Sequence, residues 1–271
     1  MRRRAGFLLL LFVALGFLLT PPLWQVATSL KSREQLSMLP PLLPDPPTLE
    51  NYQGVFAGRP FGRHILNGTI VAALTALLAL LLGAPAAFAV SRLAIARART
   101  LLFGFLAVSW IPPIAIVSPM YLGMRALGLR DTWWALVLAD TAFVLPLTIW
   151  FLTTFFDEIP QDLLWAARVD GATTVGAFVY VALPLSAPGL AAAAIVAFIY
   201  AWNEFLFSLV LTSSPAAQTV PVAIALFPGL HEMPWGEIAA ASVIASAPVL
   251  VLILMFQRWI VQGLTAGAVR E

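Results

Sequence analysis

The sequence predicts an all-α, polytopic membrane protein of about six transmembrane helices, and three observations carry that prediction. Of its 271 residues 61% are apolar and 10% are charged, and the mean hydropathy is +0.93, so the chain lacks the polar surface with which a globule faces water. Apolar windows of roughly 20 residues, enough to cross a bilayer core, recur along it. Trp24, Trp133, Trp134, Trp235 and Trp259 fall near the ends of those windows, where interfacial indoles belong.

The first window, 5–30, follows Arg2, Arg3 and Arg4 and could pass for a secretory signal. Its apolar run continues to Pro21, Pro22 and Trp24 with no small-x-small cleavage site, so it reads as an uncleaved first span with a cytoplasmic N-terminus. Segment 31–64, rich in proline (Pro40, Pro41, Pro44, Pro46, Pro47), is too long for a turn and too polar for a core; it is expected to be an external loop. Further windows are 65–90, 101–122, 132–156, 185–211 and 237–261. Six spans return the C-terminus to the cytoplasm and assign nine arginines to the inside against six basic residues outside, a mild positive-inside bias. Absence of repeats or low-complexity tracts argues for one domain over 1–271.

Every window carries proline: Pro21 and Pro22, Pro85, Pro112 with Pro113 and Pro119, Pro146, Pro188, and Pro248. Proline frees a backbone carbonyl and bends a helix, which a bilayer accepts only where neighbours or water satisfy the group. Such bends either leave room for a cavity or serve packing alone.

The polar segment 157–184 stands apart. It reads as helix, glycine turn, helix, proline stop: Pro160 suits a first helical turn, Gly171 a left-handed terminus, and Pro184 blocks continuation. It is either an ordinary interhelical loop or a compact cytoplasmic knuckle that a separate motor protein grips.

The residues of this segment also carry a resemblance. Ala166 and Ala167, then Gly171 after three residues, then Val181-Ala-Leu183-Pro184 after nine more, resemble the "EAA" loop of permease subunits of bacterial ATP-binding-cassette importers. Pro47-Thr-Leu-Glu-Asn-Tyr52, Leu127-Gly-Leu-Arg-Asp-Thr132, Ala201-Trp-Asn-Glu-Phe205 and the tail Gln257 to Val269 are similar to the family's other patterns, in its order, nearest to the maltose- and trehalose-type carbohydrate branch. The resemblance implies a coupling helix seated in a groove of a cytoplasmic ATPase. It also implies a second homologous permease subunit, two ATPase subunits that hold ATP and magnesium, an extracellular binding protein that meets the external loop, and a carbohydrate substrate. Trp165 stands where the family has a glutamate, which removes that ionic anchor. Docking is then expected to lean on Leu163, Leu164, Trp165, Ala166 and Ala167, with Arg168 and Asp170 on the rim and Gly171 closing the helix; Trp165 could equally be an interfacial anchor.

Two acids fall in or near apolar windows, at a cost of about 3 kcal/mol each at the bilayer centre, so both should face the bundle interior or water. Trp202, Asn203 and Glu204 are expected either to line a substrate path, by stacking on and hydrogen bonding a sugar ring, or to hold helices together. Asp140 reads as structural, and Trp110 as packing beside Pro112.

Several classes of function drop out. The chain has no cysteine, so disulfides, iron–sulfur clusters and thiol nucleophiles are excluded. Gly58-Arg-Pro-Phe-Gly-Arg63 lacks the spacing and lysine of a phosphate-binding loop, so no cofactor is expected in this chain. His64 and His231 sit in separate polar loops, without metal-ligand spacing. A net charge of +2 gives nucleic acid no patch, and the Asn67-Gly-Thr69 sequon abuts an apolar span. The expectation is a multi-pass bacterial inner-membrane subunit of an ATP-driven importer for a di- or oligosaccharide, itself not an enzyme. The alternatives are a secondary carrier or channel for small polar solutes, or a membrane enzyme, for which no catalytic cluster is visible.

Overall fold

The computed structural model describes residues 2–37, 41–57, 59–93, 97–227 and 233–266, so His231 and Gly58 lie outside the described residues. Among the described residues every regular element is helical. The order begins α1 (Arg2–Ser29), α2 (Arg33–Ser37), α3 (Glu50–Phe56), α4 (Phe61–Arg92), α5 (Ala98–Val108), α6 (Pro113–Ala126) and α7 (Trp133–Glu158). It continues with α8 (Gln161–Val169), α9 (Thr174–Ala177), a π-turn (Phe178–Ala182), α10 (Leu183–Leu185), α11 (Ala187–Asn203), α12 (Leu206–Leu211), α13 (Val220–Ala225) and α14 (Trp235–Ala266).

Four helices, α1, α4, α7 and α14, are each long and apolar enough to cross a bilayer, and two bent pairs raise the possible spans to six. The windows 101–122 and 185–211 therefore hold no continuous helix, and the cause is written in the residues. In the first, Pro112 and Pro113 remove two consecutive N–H donors, and the residue before a proline avoids the helical region. Pro112 accordingly turns to φ −59°, ψ 128°, and α5 and α6 meet at 82°. A cavity of about 80 Å³ opens at this elbow, lined in part by Ser109, Ile111, Met120 and Phe143. Trp110, expected to pack, is 85% exposed there.

Pro184, expected to block continuation, does not stop the helix. The Leu183 N–H bonds Phe178 O, five residues back, and this π-turn carries the helical path past a proline that has no donor to place. The bend comes at Ser186, between Pro184 and Pro188, where Thr174–Leu185 and Ala187–Asn203 meet at 78°. By contrast α4 and α7 run on through Pro85 and Pro146.

The chain divides into two compact units, 1–62 with 223–248, and 63–222 with 249–271. In the second unit α7 is central, with 61% of its apolar window buried, and it packs on α5, α11 and α12 and shares apolar clusters with α4. Small residues let these helices close up: a β-carbon on Gly83 of α4 would fall 2.9 Å from Thr148 Cγ2 of α7. Buried Thr148 and Thr153 bond the carbonyls of Val144 and Ile149 one turn back, so neither hydroxyl is stranded in an apolar interior. Contacts at both ends, Asn67 with Trp133 and Arg92 with Phe156, make α4 and α7 parallel. Gly189 at Phe155 and Trp202 at Gly68 make α11 antiparallel to them.

In the first unit the apolar window of α1 has none of its residues buried. Its C-terminal end is held by α3: Asn51 Nδ2 donates to Ser29 O (2.9 Å) and Lys31 O (2.7 Å), and Tyr52 pairs with Ser29 Oγ (2.8 Å). Arg59 pairs with Glu237 of α14 at 2.7 Å and lies over the Phe227 ring.

Candidate functional site

The corner that follows α7 is built tightly. Ile159 is extended (ψ 125°) ahead of Pro160, which ends α7, and α8 starts at once. α8 closes in a Schellman arrangement: Gly171 N–H reaches Arg168 O (3.0 Å) and Ala172 N–H reaches Ala167 O (2.9 Å). Gly171 sits at φ +91°, where a side chain is strained. Thr173 then caps α9 by accepting from Gly176 N–H (3.1 Å).

Helical periodicity divides the expected docking residues between two faces. Leu164 is buried in a cluster with Ala84 and Phe88 of α4, Ile149 and Phe156 of α7, and Ala177 and Ala182 beyond the turn. Ala167, three residues on, packs half-buried on the same cluster. Leu164 is thus turned into the chain's own core, and Ala167 only in part, in place of the single docking face expected from the sequence. Leu163, Trp165, Ala166, Arg168 and Asp170 are exposed, and so is Val169, at 87%. Val169, which lies outside the EAA-like pattern, is four residues from Trp165 and so shares its face of the helix.

Trp202, Asn203 and Glu204 do not converge on one another. Trp202 is buried, its ring 3.2 Å from where a Gly68 β-carbon would stand and stacked on Phe198 at 6.0 Å. Asn203 is exposed and donates to Ile199 O of its own helix (2.8 Å). Glu204 lies not inside a helix but in the break between α11 and α12. Its carboxylate accepts from the N–H groups of Phe207 (2.7 Å) and Ser208 (3.0 Å) and so caps α12. Asp140 is 1% exposed on α7, and its Oδ1 has no hydrogen-bond partner.

At the end where α4 and α7 begin, polar side chains fasten the segment after α12. Asn67 is fully buried; its amide donates to Pro215 O (3.0 Å) and Gln218 O (2.8 Å) and accepts from Trp133 Nε1 (3.0 Å), which leaves nothing of the sequon for a glycan. His64 Nδ1 pairs with Gln218 O at 3.1 Å. Asp131, at φ +61°, accepts from the N–H groups of Ser213 (2.9 Å) and Ser214 (3.1 Å) and from Ser214 Oγ (2.7 Å). Partial burial pushes the Asp131 carboxyl up, but the bonds from Ser214 and Ser213 outweigh it and hold the group below its ordinary 3.8.

These features define a class, that of polytopic helical membrane proteins. Residues 79–266 match the family described as "Binding-protein-dependent transport system inner membrane component". The chain is 44% identical to the trehalose transport system permease protein SugB of Mycobacterium tuberculosis, over 99% of this chain and 98% of that protein. It is 38% identical to the trehalose/maltose transport system permease protein MalG of Thermococcus litoralis, over 93% of this chain and 91% of that one. The fold resembles that of a chain from a bacterial ABC transporter involved in alginate import, with a TM-score of 0.80 and 22% identity, covering 94% of this chain and 96% of that chain. The chain belongs to the family of inner-membrane components of binding-protein-dependent transport systems. As a transport permease it is not itself an enzyme.

Proposed function

We propose that this chain is the membrane subunit of an ATP-driven importer that takes up a di- or oligosaccharide. The relatives' names, trehalose and trehalose/maltose among them, support the substrate class. A binding protein delivers the sugar to the side where α4 and α7 begin. ATP and magnesium stay on separate ATPase subunits on the other side, which also holds both termini of this chain. A second, homologous permease completes the path, with Asn203 and Glu204 on it and Trp202 behind them.

The observation that carries the reading is α8. One face is locked by Leu164 into the cluster that joins α4, α7 and α11, while the opposite face bares Leu163, Trp165, Ala166 and Val169. A short helix that is half core and half bare suits a handle through which an ATPase moves the spans. The test is reconstitution of the assembled complex with a panel of disaccharides. A substrate that stimulates ATP hydrolysis and enters vesicles only with ATP supports the reading; uptake by the isolated chain without ATP refutes it.

A secondary carrier draws support from Asp140, a buried acid with an unpartnered oxygen of the kind ion-coupled carriers use. Collapse of uptake on adding an ionophore, with ATP held constant, would favour that reading.

A further inference from the structure

The last turn of a helix leaves carbonyls without partners, and in α7 the problem is acute because Pro160 has no N–H with which to extend the ladder. Phe156 O keeps only a long bond from Ile159 N–H (3.3 Å), and the further donors come from another helix. Arg92, the last residue of α4, donates from Nε to Phe156 O at 2.8 Å, and its Nη2 bonds both Phe156 O and Ile159 O. Ser91 Oγ beside it bonds the Asp157 carboxylate. A guanidinium at a helix C-terminus also meets the negative end of the helix dipole. Its planar fork is pre-organised to span two carbonyls at once, whereas a lysine must order a flexible stem and rotatable donors to reach the same pair.

Ile159 is the extended residue that joins α7 to α8, and it is itself buried in the apolar cluster at this corner. The residues on either side of it, Phe156 and Leu164, share one apolar cluster with Phe88 of α4, one turn before Arg92. Grease beneath and a cationic fork above therefore bind three helices at one corner.

We infer that Arg92 is a positioning residue for energy coupling: it welds the end of α4 to the joint before α8, so that displacement of α8 moves α4 and α7 as one body. The inference rests on the proposed role of α8 as the handle. Without Arg92 the spans still fold around Leu164 and Phe156, but α8 swings at Ile159 and motion is lost as slip.

The test uses the full importer complex in vesicles, with wild type, Arg92→Ala and Arg92→Lys. Sugar taken up per ATP hydrolysed falls at least about tenfold in Arg92→Ala, since each of the three charge-assisted hydrogen bonds it loses corresponds to about that ratio; Arg92→Lys lies between it and wild type. The chain has no cysteine, so spin labels at Leu82→Cys on α4 and Asp162→Cys on α8 are free of competition from its own thiols. Their distance distribution, single and narrow in wild type, broadens in Arg92→Ala. An unchanged uptake ratio with an unchanged distribution overturns the inference, as does Arg92→Lys matching wild type in both. If Arg92→Ala does not assemble, Arg92→Lys alone decides by the same two readouts. If wild-type complex hydrolyses no ATP, the role of α8 fails, and the label distance still decides whether Arg92 fixes that joint.

Discussion

Gly189 lies directly against the ring of Phe155: a β-carbon on the glycine would fall 2.4 Å from Phe155 Cγ and 2.6 Å from Cδ1. The closeness of α11 to α7 at this end is set by that absent methyl group.

Gly189→Ala should therefore force the helices apart, at a cost of about 1–3 kcal/mol. Phe155→Leu frees the space, so the double variant should be less destabilised than the sum of the two single ones. Thermal unfolding of the purified complex measures this; strict additivity contradicts the packing account.

The two faces of α8 should respond differently. Leu164→Ala removes a buried side chain and should lower stability by about 2–5 kcal/mol. Val169→Glu and Trp165→Glu alter exposed positions, so they should leave unfolding unchanged while ATP hydrolysis loses its dependence on sugar. A charge at Ala167 belongs with Leu164, since it enters the same cluster. Equal loss of stability in all four variants would remove the distinction between the faces.

Glu204 separates path from scaffold. Glu204→Gln keeps an oxygen for the Phe207 and Ser208 N–H groups, whereas Glu204→Ala leaves them uncapped at a cost of about 0.5–2 kcal/mol. With Asn203→Ala as a companion, reduced uptake at normal assembly marks the path. Should Glu204→Gln match wild-type uptake while Glu204→Ala fails to assemble, capping is the whole role.

Asp131 makes the Ser213–Ser214 tether sensitive to acid. Its folded pKa lies below the ordinary value of 3.8, so its contribution is fully present above 3.8 and is lost as pH falls through the folded value. Hydrogen exchange at the Ser213 and Ser214 amides should rise, relative to its intrinsic rate, only below pH 3.8 in wild type. In Asp131→Ala it should be high and flat with pH; a flat protected wild type would sink this account.

The spans were legible wherever hydrophobic length alone decides, as in α1, α4, α7 and α14. Breaks were not, because hydropathy is blind to backbone donors: 101–122 and 185–211 are each apolar enough on average to span and yet turn at Pro112 and at Ser186. Gly171 was readable, since only a left-handed terminus wants glycine there. The orientation of Leu164 and Ala167 was readable in principle from helical spacing, but motif likeness grouped them with residues on the opposite face. Arg92 had no signal at all. Its partners are backbone carbonyls more than sixty residues away, and carbonyls carry no residue identity.

The bend at Ser186 has a mechanical reading. With arms at 78°, a thrust along Thr174–Leu185 arrives at Ala187–Asn203 almost broadside. With α8 as the proposed handle, the two arms would work as a bell crank, turning a small stroke at α8 into sideways tilt of the helix that ends at Asn203.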